Sequence, residues 1–323
     1  MKGKPTPLEA NRRYHDRVAP RYDDIYKGPR WDAWYELSWD GLKPHIPADL
    51  RAPIADLGCG TGRYGLRLAR SGYQVTFSDL SLRMLETARR KAEDLGIADR
   101  CLFQQADIVE LGELPGAPFA LAIAQGDVLS FAASPPRALK QIRRLLRPGG
   151  VLVASVDQTY AALEHYATKP DLEGMQHLVQ RGEMEWLAHD PSERFPVHTF
   201  SAEQLKDLIE KAGLELLDLY GKTVLPFKKL EAAFEDSATA RKNSCTGAQA
   251  LPEAFRIGLG ESLAVCRAPS RLSRMPRRYQ SATRTSAGSL SRVTILRNHG
   301  GQADKVWWRL RGQHSLTRTK CAI

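Results

Sequence analysis

Four glycines fall within the eight residues Gly58-Cys-Gly-Thr-Gly-Arg-Tyr-Gly65, directly after the apolar run Pro53–Leu57. A strand that runs into such a loop, and then into a helix over Gly62–Arg70, has few architectures open to it. Glycine lets the backbone turn left-handed and approach a ligand closely, and the helix N-terminus beyond it offers free N–H groups. The expectation is an open α/β sheet that holds a nucleotide-like ligand at its strand ends. The loop can be read in two frames. Gly60-x-Gly62-x-x-Gly65, with Asp79 at the end of the next strand, is a dinucleotide fingerprint. Asp56-x-Gly58-x-Gly60-x-Gly62, two residues earlier, places an acid before three alternate glycines. The frames imply different chemistry.

The first 150 residues continue the alternation of strand and helix. Tyr73–Ser78 reads as a strand ending at Asp79. Ser81 then caps a helix whose buried face is Met84, Ala88, Ala92 and Leu95, with Gly96 as its stop. Cys101–Gln105 and the wholly apolar Phe119–Ala124 are further strands, the second suited to burial on both faces. Ala138, Leu139, Ile142, Leu145 and Leu146 mark an amphipathic helix stopped by Arg147-Pro-Gly-Gly150, and Val151–Val156 follows as a strand. Ser201-Ala-Glu-Gln204 is a capping box opening a helix that closes at Gly213. Leu214–Tyr220 and Glu261–Arg267 complete seven strands.

The expected fold is a Rossmann-like, seven-stranded, mostly parallel sheet with helices on both faces and an antiparallel last strand. The expected organisation is a helical N-terminal cap over 1–50, a core over 51–268, and a basic, disordered tail over 269–323. Two insertions, 157–200 and 221–259, exceed ordinary connections and suit lids or binding loops.

The net charge of +10 suggests a nucleic-acid partner until its location is considered. Residues 267–323 hold 13 Lys and Arg against one acid, Asp304, whereas the first 266 residues hold 34 basic and 36 acidic side chains. Nucleic acid is therefore expected only through the tail. No apolar run is long enough for a membrane helix, and the N-terminus lacks the apolar stretch of a signal peptide. The five cysteines are scattered, without metal or disulfide spacing. A cytoplasmic protein without a metal site is expected.

The acids help choose between the frames. Asp79 can accept two ribose hydroxyls in either. Asp107, after the third strand, can accept from an adenine amine or cap the following helix. With Asp56, three acids stand at the ends of three successive strands along one sheet edge. No G-x-x-x-x-G-K-[ST] is present, which speaks against a P-loop enzyme. A dinucleotide oxidoreductase would also need a second domain with a paired acid and base, and none is recognisable.

This set resembles the class I S-adenosylmethionine (SAM)-dependent methyltransferases, in the small-molecule branch similar to quinone-type enzymes. The resemblance covers roughly residues 11–268. It rests on Ile54-Ala-Asp-Leu-Gly-Cys-Gly-Thr-Gly62, Asp79-Leu-Ser-Leu-Arg-Met-Leu85, Gln105-Ala-Asp107, Leu146-Arg-Pro-Gly-Gly150 and the final ESLAVCR strand. Tyr14-His-Asp-Arg-Val-Ala-Pro-Arg-Tyr-Asp23 is similar to the family's leading helix. The resemblance implies that Asp56, Gly58, Gly60 and Gly62 meet the methionine part of SAM and Asp79 the ribose. Leu80 and Met84 would pack on adenine with Asp107 at its amine, Ala124 and Gln125 would lie near the sulfur, and Tyr14 and Tyr22 would close the entrance.

Methyl transfer from a sulfonium is an in-line displacement, in which most catalysis comes from holding the nucleophile aligned about 3 Å away. A base is needed only where the nucleophile must lose a proton. The candidates are His165, His198 and Asp127, the last equally able to cap the next helix. The insertion also offers Tyr166, Trp186 and His189. The [DN]-P-P-[YF] motif of nitrogen-directed members is replaced by Gln125-Gly-Asp-Val, which disfavours an exocyclic base amine as acceptor. The expected activity is methylation of a small, partly aromatic or apolar molecule. Alternatives are an RNA or protein methyltransferase gripping phosphates with the tail, where Trp307 and Trp308 could stack on bases, and a catalytically inactive SAM-binding protein.

Overall fold

The structure, a computed structural model, describes residues 5–167, 171–186, 190–222 and 261–269. His189, most of the 221–259 insertion and nearly all of the 269–323 tail lie outside the described residues, as does the side chain of His165.

Seven strands form one sheet in the order β3-β2-β1-β4-β5-β9-β8. They are β1 (Ile54–Leu57), β2 (Val75–Asp79), β3 (Cys101–Gln105), β4 (Phe119–Ala124), β5 (Leu146–Val156), β8 (Glu215–Lys222) and β9 (Glu261–Arg267). The first five pair in parallel, and β9 lies antiparallel between β5 and β8. The expected Rossmann-like sheet with its antiparallel last strand is present. The order reverses between β1 and β4, and the crevice outside the carboxyl ends at such a reversal is where open α/β sheets bind ligands.

β1 and β4 are buried at every residue, as apolar strands covered on two sides must be. On one face the sheet packs against α6 (Val128–Phe131), α7 (Pro135–Leu145) and α10 (Ala202–Lys211), through Leu129, Leu139, Ile142, Leu205 and Ile209. On the other it packs against α3 (Pro29–Leu42), α4 (Arg63–Arg70) and α5 (Leu82–Asp94), through Trp39, Leu42, Leu66, Leu68 and Leu85. Among the described residues, no helix is long and apolar enough to cross a membrane.

Two local expectations need correction. Leu95 does not join the buried face of α5; it is 46% exposed. The helix ends one residue earlier, Gly96 takes a left-handed φ of 67°, and Ile97 turns back into the core with its N–H on the Ala92 carbonyl. In this Schellman-type stop the residue after glycine, not the one before it, makes the apolar contact. β5 also begins at Leu146 instead of Val151. Leu146 pairs with Phe119, and the register then jumps to Leu121–Val151, so Arg147-Pro-Gly-Gly150 is a bulge within the strand. Ala268 and the two glycines close it, Gly149 N–H to Ala268 O and Ala268 N–H to Gly150 O.

Two additions stand over the crevice. The N-terminal helices are α1 (Pro7–Val18), α2 (Tyr22–Ile25) and α3, and α1 opens on a capping box of Thr6 and Glu9. The excursion after β5 holds α8 (Thr159–Ala167), α9 (Leu172–Arg181) and a hairpin of β6 (Glu183–Glu185) with β7 (Pro196–His198). It leaves and returns at one point, where the Phe200 N–H meets the Asp157 carbonyl.

Candidate active site

The glycine loop is held from below by two carboxylates. Gly58, Gly60 and Gly62 have φ of 63°, 53° and 84°, a region that only glycine enters without strain. Asp79, at the end of β2, accepts the Gly60 N–H on Oδ2 and the Ser81 N–H on Oδ1, both at 2.8 Å. Asp56, at the end of β1, accepts the Gly65 N–H on Oδ2 at 2.8 Å. A Cβ on Gly65 would stand 2.3 Å from the Phe77 ring and 2.8 Å from that same oxygen, so this glycine is required by close approach. Burial raises both acids above the ordinary carboxylate range, Asp56 to about 7. At Asp79 the nearby His15 and the two backbone donors oppose that rise.

A second turn, between β4 and α6, faces the loop. Ser155, fully buried on β5, accepts both the Gly126 and the Asp127 N–H on its Oγ at 3.0 Å. Asp127 sits at φ 61°, the one non-glycine residue with positive φ among those described. Such a conformation is uncommon for a side-chain-bearing residue, although Asp tolerates it better than most. Asp127 stands at the N-cap position of α6, but its side chain makes no capping bond. Gln125, only 5% exposed, has neither amide nitrogen nor oxygen bonded within the protein. A buried amide without partners costs roughly 1–3 kcal/mol, which a bound ligand can recover.

These turns form the floor of a cavity of about 250 Å³. Its roof is aromatic. Tyr14 from α1, Tyr22 and Tyr26 from α2 and its end, Trp31, Trp34 and Tyr35 from α3, Tyr64, Phe131 and Trp186 all line it. Successive rings meet edge to face or tilted, from Tyr22–Tyr26 at 4.8 Å through Tyr26–Trp31 at 4.7 Å to Trp34–Tyr35 at 4.9 Å. The Arg63 guanidinium carbon lies over the Tyr35 ring, 3.6 Å from its centroid. A second aromatic group joins α1 to the hairpin, with Tyr14 5.6 Å and Phe131 5.2 Å from Trp186. The same two elements are fastened by Arg17, which donates through Nε and Nη2 to the buried Glu193 carboxylate at 2.6 Å each. Burial pushes the Tyr22, Tyr26 and Tyr64 hydroxyls upward, so none is a base near neutral pH.

Of the residues expected at the cofactor, Tyr14, Tyr22, Asp56, Gly58, Gly60, Asp79, Leu80, Asp107 and Gln125 border the cavity, whereas Gly62, Met84 and Ala124 do not. Met84 is fully buried against Val18 and Ala19, where it glues α5 to the cap. A Cβ on Gly62 would press on Ala88 and Leu66, and Ala124 packs into the core beneath β4. Asp107 spends Oδ1 on the Val109 N–H at 2.9 Å, a local turn, while still bordering the cavity. Of the base candidates, Asp127 is in the wall. His198 is on β7, its Nδ1 3.3 Å from Glu183, and does not border the cavity.

Sequence reasoning missed the α3 face. Trp31, Trp34 and Tyr35 are spaced i, i+3, i+4, the spacing of one helical face. Three of the chain's six tryptophans fall within residues 31–39, a concentration that could have drawn attention to it.

Comparison with known proteins agrees with this geometry. The methyltransferase domain family matches residues 54–150, the span from β1 to the bulge of β5. The tRNA 5-carboxymethoxyuridine methyltransferase of Escherichia coli (strain K12) is 25% identical over 214 residues, 64% of this chain and 81% of that protein. Among solved structures, the cyclase SpnF superposes with a TM-score of 0.52 at 20% identity, over 83% of this chain and 98% of that one. A SAM-dependent methyltransferase from Methanosarcina mazei does so with a TM-score of 0.50 at 18% identity, over 71% and 97%. At those identities the superpositions speak for the fold alone.

Proposed function

The chain belongs to the SAM-dependent methyltransferases, and from that premise we propose that it methylates a small, planar, partly aromatic acceptor held under the aromatic roof. The observation that carries this reading is the cavity wall, in which nine Phe, Tyr and Trp side chains face a floor of acids and backbone donors. Small-molecule sites are mostly apolar, with a few well-placed polar groups. The described residues of the domain add no basic stripe to that wall; Arg63 is its one Lys or Arg.

The residues present fit the cofactor. The loop from Gly58 to Gly65 is a cradle that side chains would fill, and the Gln125 amide is a buried donor and acceptor awaiting a partner. SAM supplies a methyl group already activated on a sulfonium. In this reading Asp56 faces its ammonium and Arg63 its carboxylate. Asp79 accepts from the ribose while anchoring the loop, and Asp107 receives the adenine amine beside Leu80. Tyr22, whose ring edge lies 3.9 Å from where a Cβ on Gly60 would be, covers the loop from above. The aromatic roof excludes water and fixes the plane of the acceptor, which is the positioning that methyl transfer chiefly needs.

The same reading divides the chain into a cap over 1–50, a core over 51–268 with two insertions, and a separate tail over 269–323. It also places the protein in the cytoplasm, in keeping with the free thiols of Cys59, Cys101 and Cys266. A second reading, an RNA acceptor gripped by the basic tail, is favoured by the E. coli relative, whose name specifies tRNA.

Titration with S-adenosylhomocysteine and with bulk tRNA, before and after removal of residues 269–323, separates the two. The small-molecule reading expects micromolar binding of the homocysteine compound in both forms and no saturable tRNA binding. Tight tRNA binding that is lost with the tail would overturn it.

A further inference from the structure

The glycine loop is gripped from above as well as from below. Thr61, between the left-handed Gly60 and Gly62, is buried and borders the cavity. Its Oγ1 donates to Asp23 Oδ1 at 2.6 Å, and its carbonyl accepts from Lys91 Nζ at 3.2 Å. Lys91, on α5, pairs in turn with Asp23 Oδ2. The three groups close a ring across the glycine loop, α5 and α2. Asp23 and Lys91 are 38% and 32% exposed, so the pair is partly sheltered from the screening that weakens surface ion pairs. Burial works to raise the Asp23 carboxyl, yet the Lys91 and Thr61 donors hold it below the ordinary range, so it is ionised near neutral pH. A second cap acid repeats the arrangement. Asp16, on α1, accepts from Ser81 Oγ at 2.5 Å, and the N–H of that serine donates to Asp79. Two carboxylates of the cap thus end on the two segments that support the loop. Charge-assisted hydrogen bonds of this kind are roughly twice as strong as neutral ones.

We propose that Asp23, assisted by Asp16, is a positioning residue for the cofactor, joining closure of the cap to the formed state of the glycine loop. This rests on the methyltransferase reading and adds the means by which cap and cofactor act on each other. Asp23 directly follows Tyr22, whose ring edge stands 3.9 Å from where a Cβ on Gly60 would be, so a cofactor seated on the loop lies under α2. When α2 lifts to admit it, the Thr61 hydroxyl loses its acceptor and Lys91 its counter-charge. The loop then keeps the support that Asp56 and Asp79 give from below. When α2 returns, the ring re-forms and fixes Thr61 at both its hydroxyl and its carbonyl. Linkage makes the effect reciprocal: whatever free energy the ring lends to cofactor binding, the bound cofactor lends to cap closure. Asp16 and Asp23 therefore belong to the hydrogen-bond system of the floor, although the cap carries them.

The test is a double-mutant cycle on the full-length protein, read as S-adenosylhomocysteine affinity by calorimetry, with Asp23→Ala, Thr61→Val and the two combined. Each single change is expected to weaken binding about fivefold, and the combination no more than the larger single loss, as for residues that act through one another. Asp23→Asn keeps an acceptor for the Thr61 hydroxyl and Thr61→Ser keeps the hydroxyl, so each should recover part of the loss. Asp24→Asn, which removes the partner of the exposed Lys27 one residue further on, should stay within about twofold of wild type. Hydrogen exchange of the wild type needs no variant: S-adenosylhomocysteine should slow exchange across α1 and α2, and in Asp23→Ala that slowing should shrink. Additive losses in the cycle, a loss in Asp24→Asn equal to that in Asp23→Asn, or exchange in α1 and α2 that ignores the ligand would each overturn the role of Asp23. Failure of the wild type to bind S-adenosylhomocysteine would instead overturn the methyltransferase site beneath it.

Discussion

The floor and the roof of the cavity are built on different physical terms. The floor is polar and comes from three strand ends and a glycine loop. Its carboxylates spend oxygens on backbone N–H groups, so the ligand-facing surface is rigid before anything binds. The roof is aromatic and comes from the N-terminal helices and a hairpin more than a hundred residues away, joined by ring contacts and the Arg17–Glu193 bridge. Hydrogen bonds in the floor fix atoms to tenths of an ångström. Ring packing in the roof fixes shape while tolerating substitution. A cofactor common to a family suits the first kind of construction, and an acceptor peculiar to one member suits the second.

This division predicts that floor variants change cofactor affinity and that variants of the roof away from Tyr14 and Tyr22 do not. The largest effect is expected for Asp79→Ala, which removes the proposed ribose acceptor and frees both Gly60 and Ser81 N–H groups. S-adenosylhomocysteine affinity should fall at least a hundredfold by calorimetry, about 2.7 kcal/mol, with the circular dichroism spectrum of the folded protein retained. Retention of affinity would dissolve the distinction. Trp31→Ala should raise the KM for the acceptor about tenfold and leave S-adenosylhomocysteine affinity unchanged, because it deletes a roof face and no cofactor contact. A parallel loss of cofactor affinity would mean that the roof serves both ligands.

Asp56→Asn sharpens the comparison through pH. The native state holds a proton on Asp56 up to about pH 7, whereas the unfolded chain releases it in the ordinary carboxylate range. The empty protein therefore loses stability as pH rises through that window, since the unfolded state binds fewer protons there. Asparagine keeps an acceptor for the Gly65 N–H and removes the buried charge. The variant should melt a few degrees higher than wild type at pH 8 when empty, converge with it near pH 4, and bind S-adenosylhomocysteine more weakly. Calorimetric melting at the two pH values checks this. The smallest effect belongs to Arg17→Met. It leaves Glu193 buried without its partner, but Arg17 is half exposed and solvent screens the pair, so a loss of about 1 kcal/mol in urea denaturation is expected.

The floor was legible in the sequence because its signals are local. Asp56, Gly58 and Gly60 lie within five residues, and Asp79 closes the next strand, so periodicity and spacing suffice to bring them together. The same local logic went astray by a single residue at Leu95, where the apolar period continues past the point at which Gly96 reverses the chain. It also could not separate Met84 from Leu80. Both lie near Asp79, but only the angle of α5 to the cap decides that one is core and the other borders the cavity. The roof was hidden for a stronger reason. Trp31, Trp34 and Tyr35 read as one apolar face of a helix, and nothing in that face says whether it meets a sheet or a ligand. Ser155 looks like one small polar residue in a strand, and its hold on the Asp127 turn depends on the register of β5 against β4.

The bridge from Arg17 to Glu193 also bears on tempo. Cofactor and spent product must change places on every turnover, and they do so beneath elements tied together at that point. Any opening that separates α1 from the hairpin must therefore break this pair, one guanidinium and one carboxylate that do not themselves border the cavity.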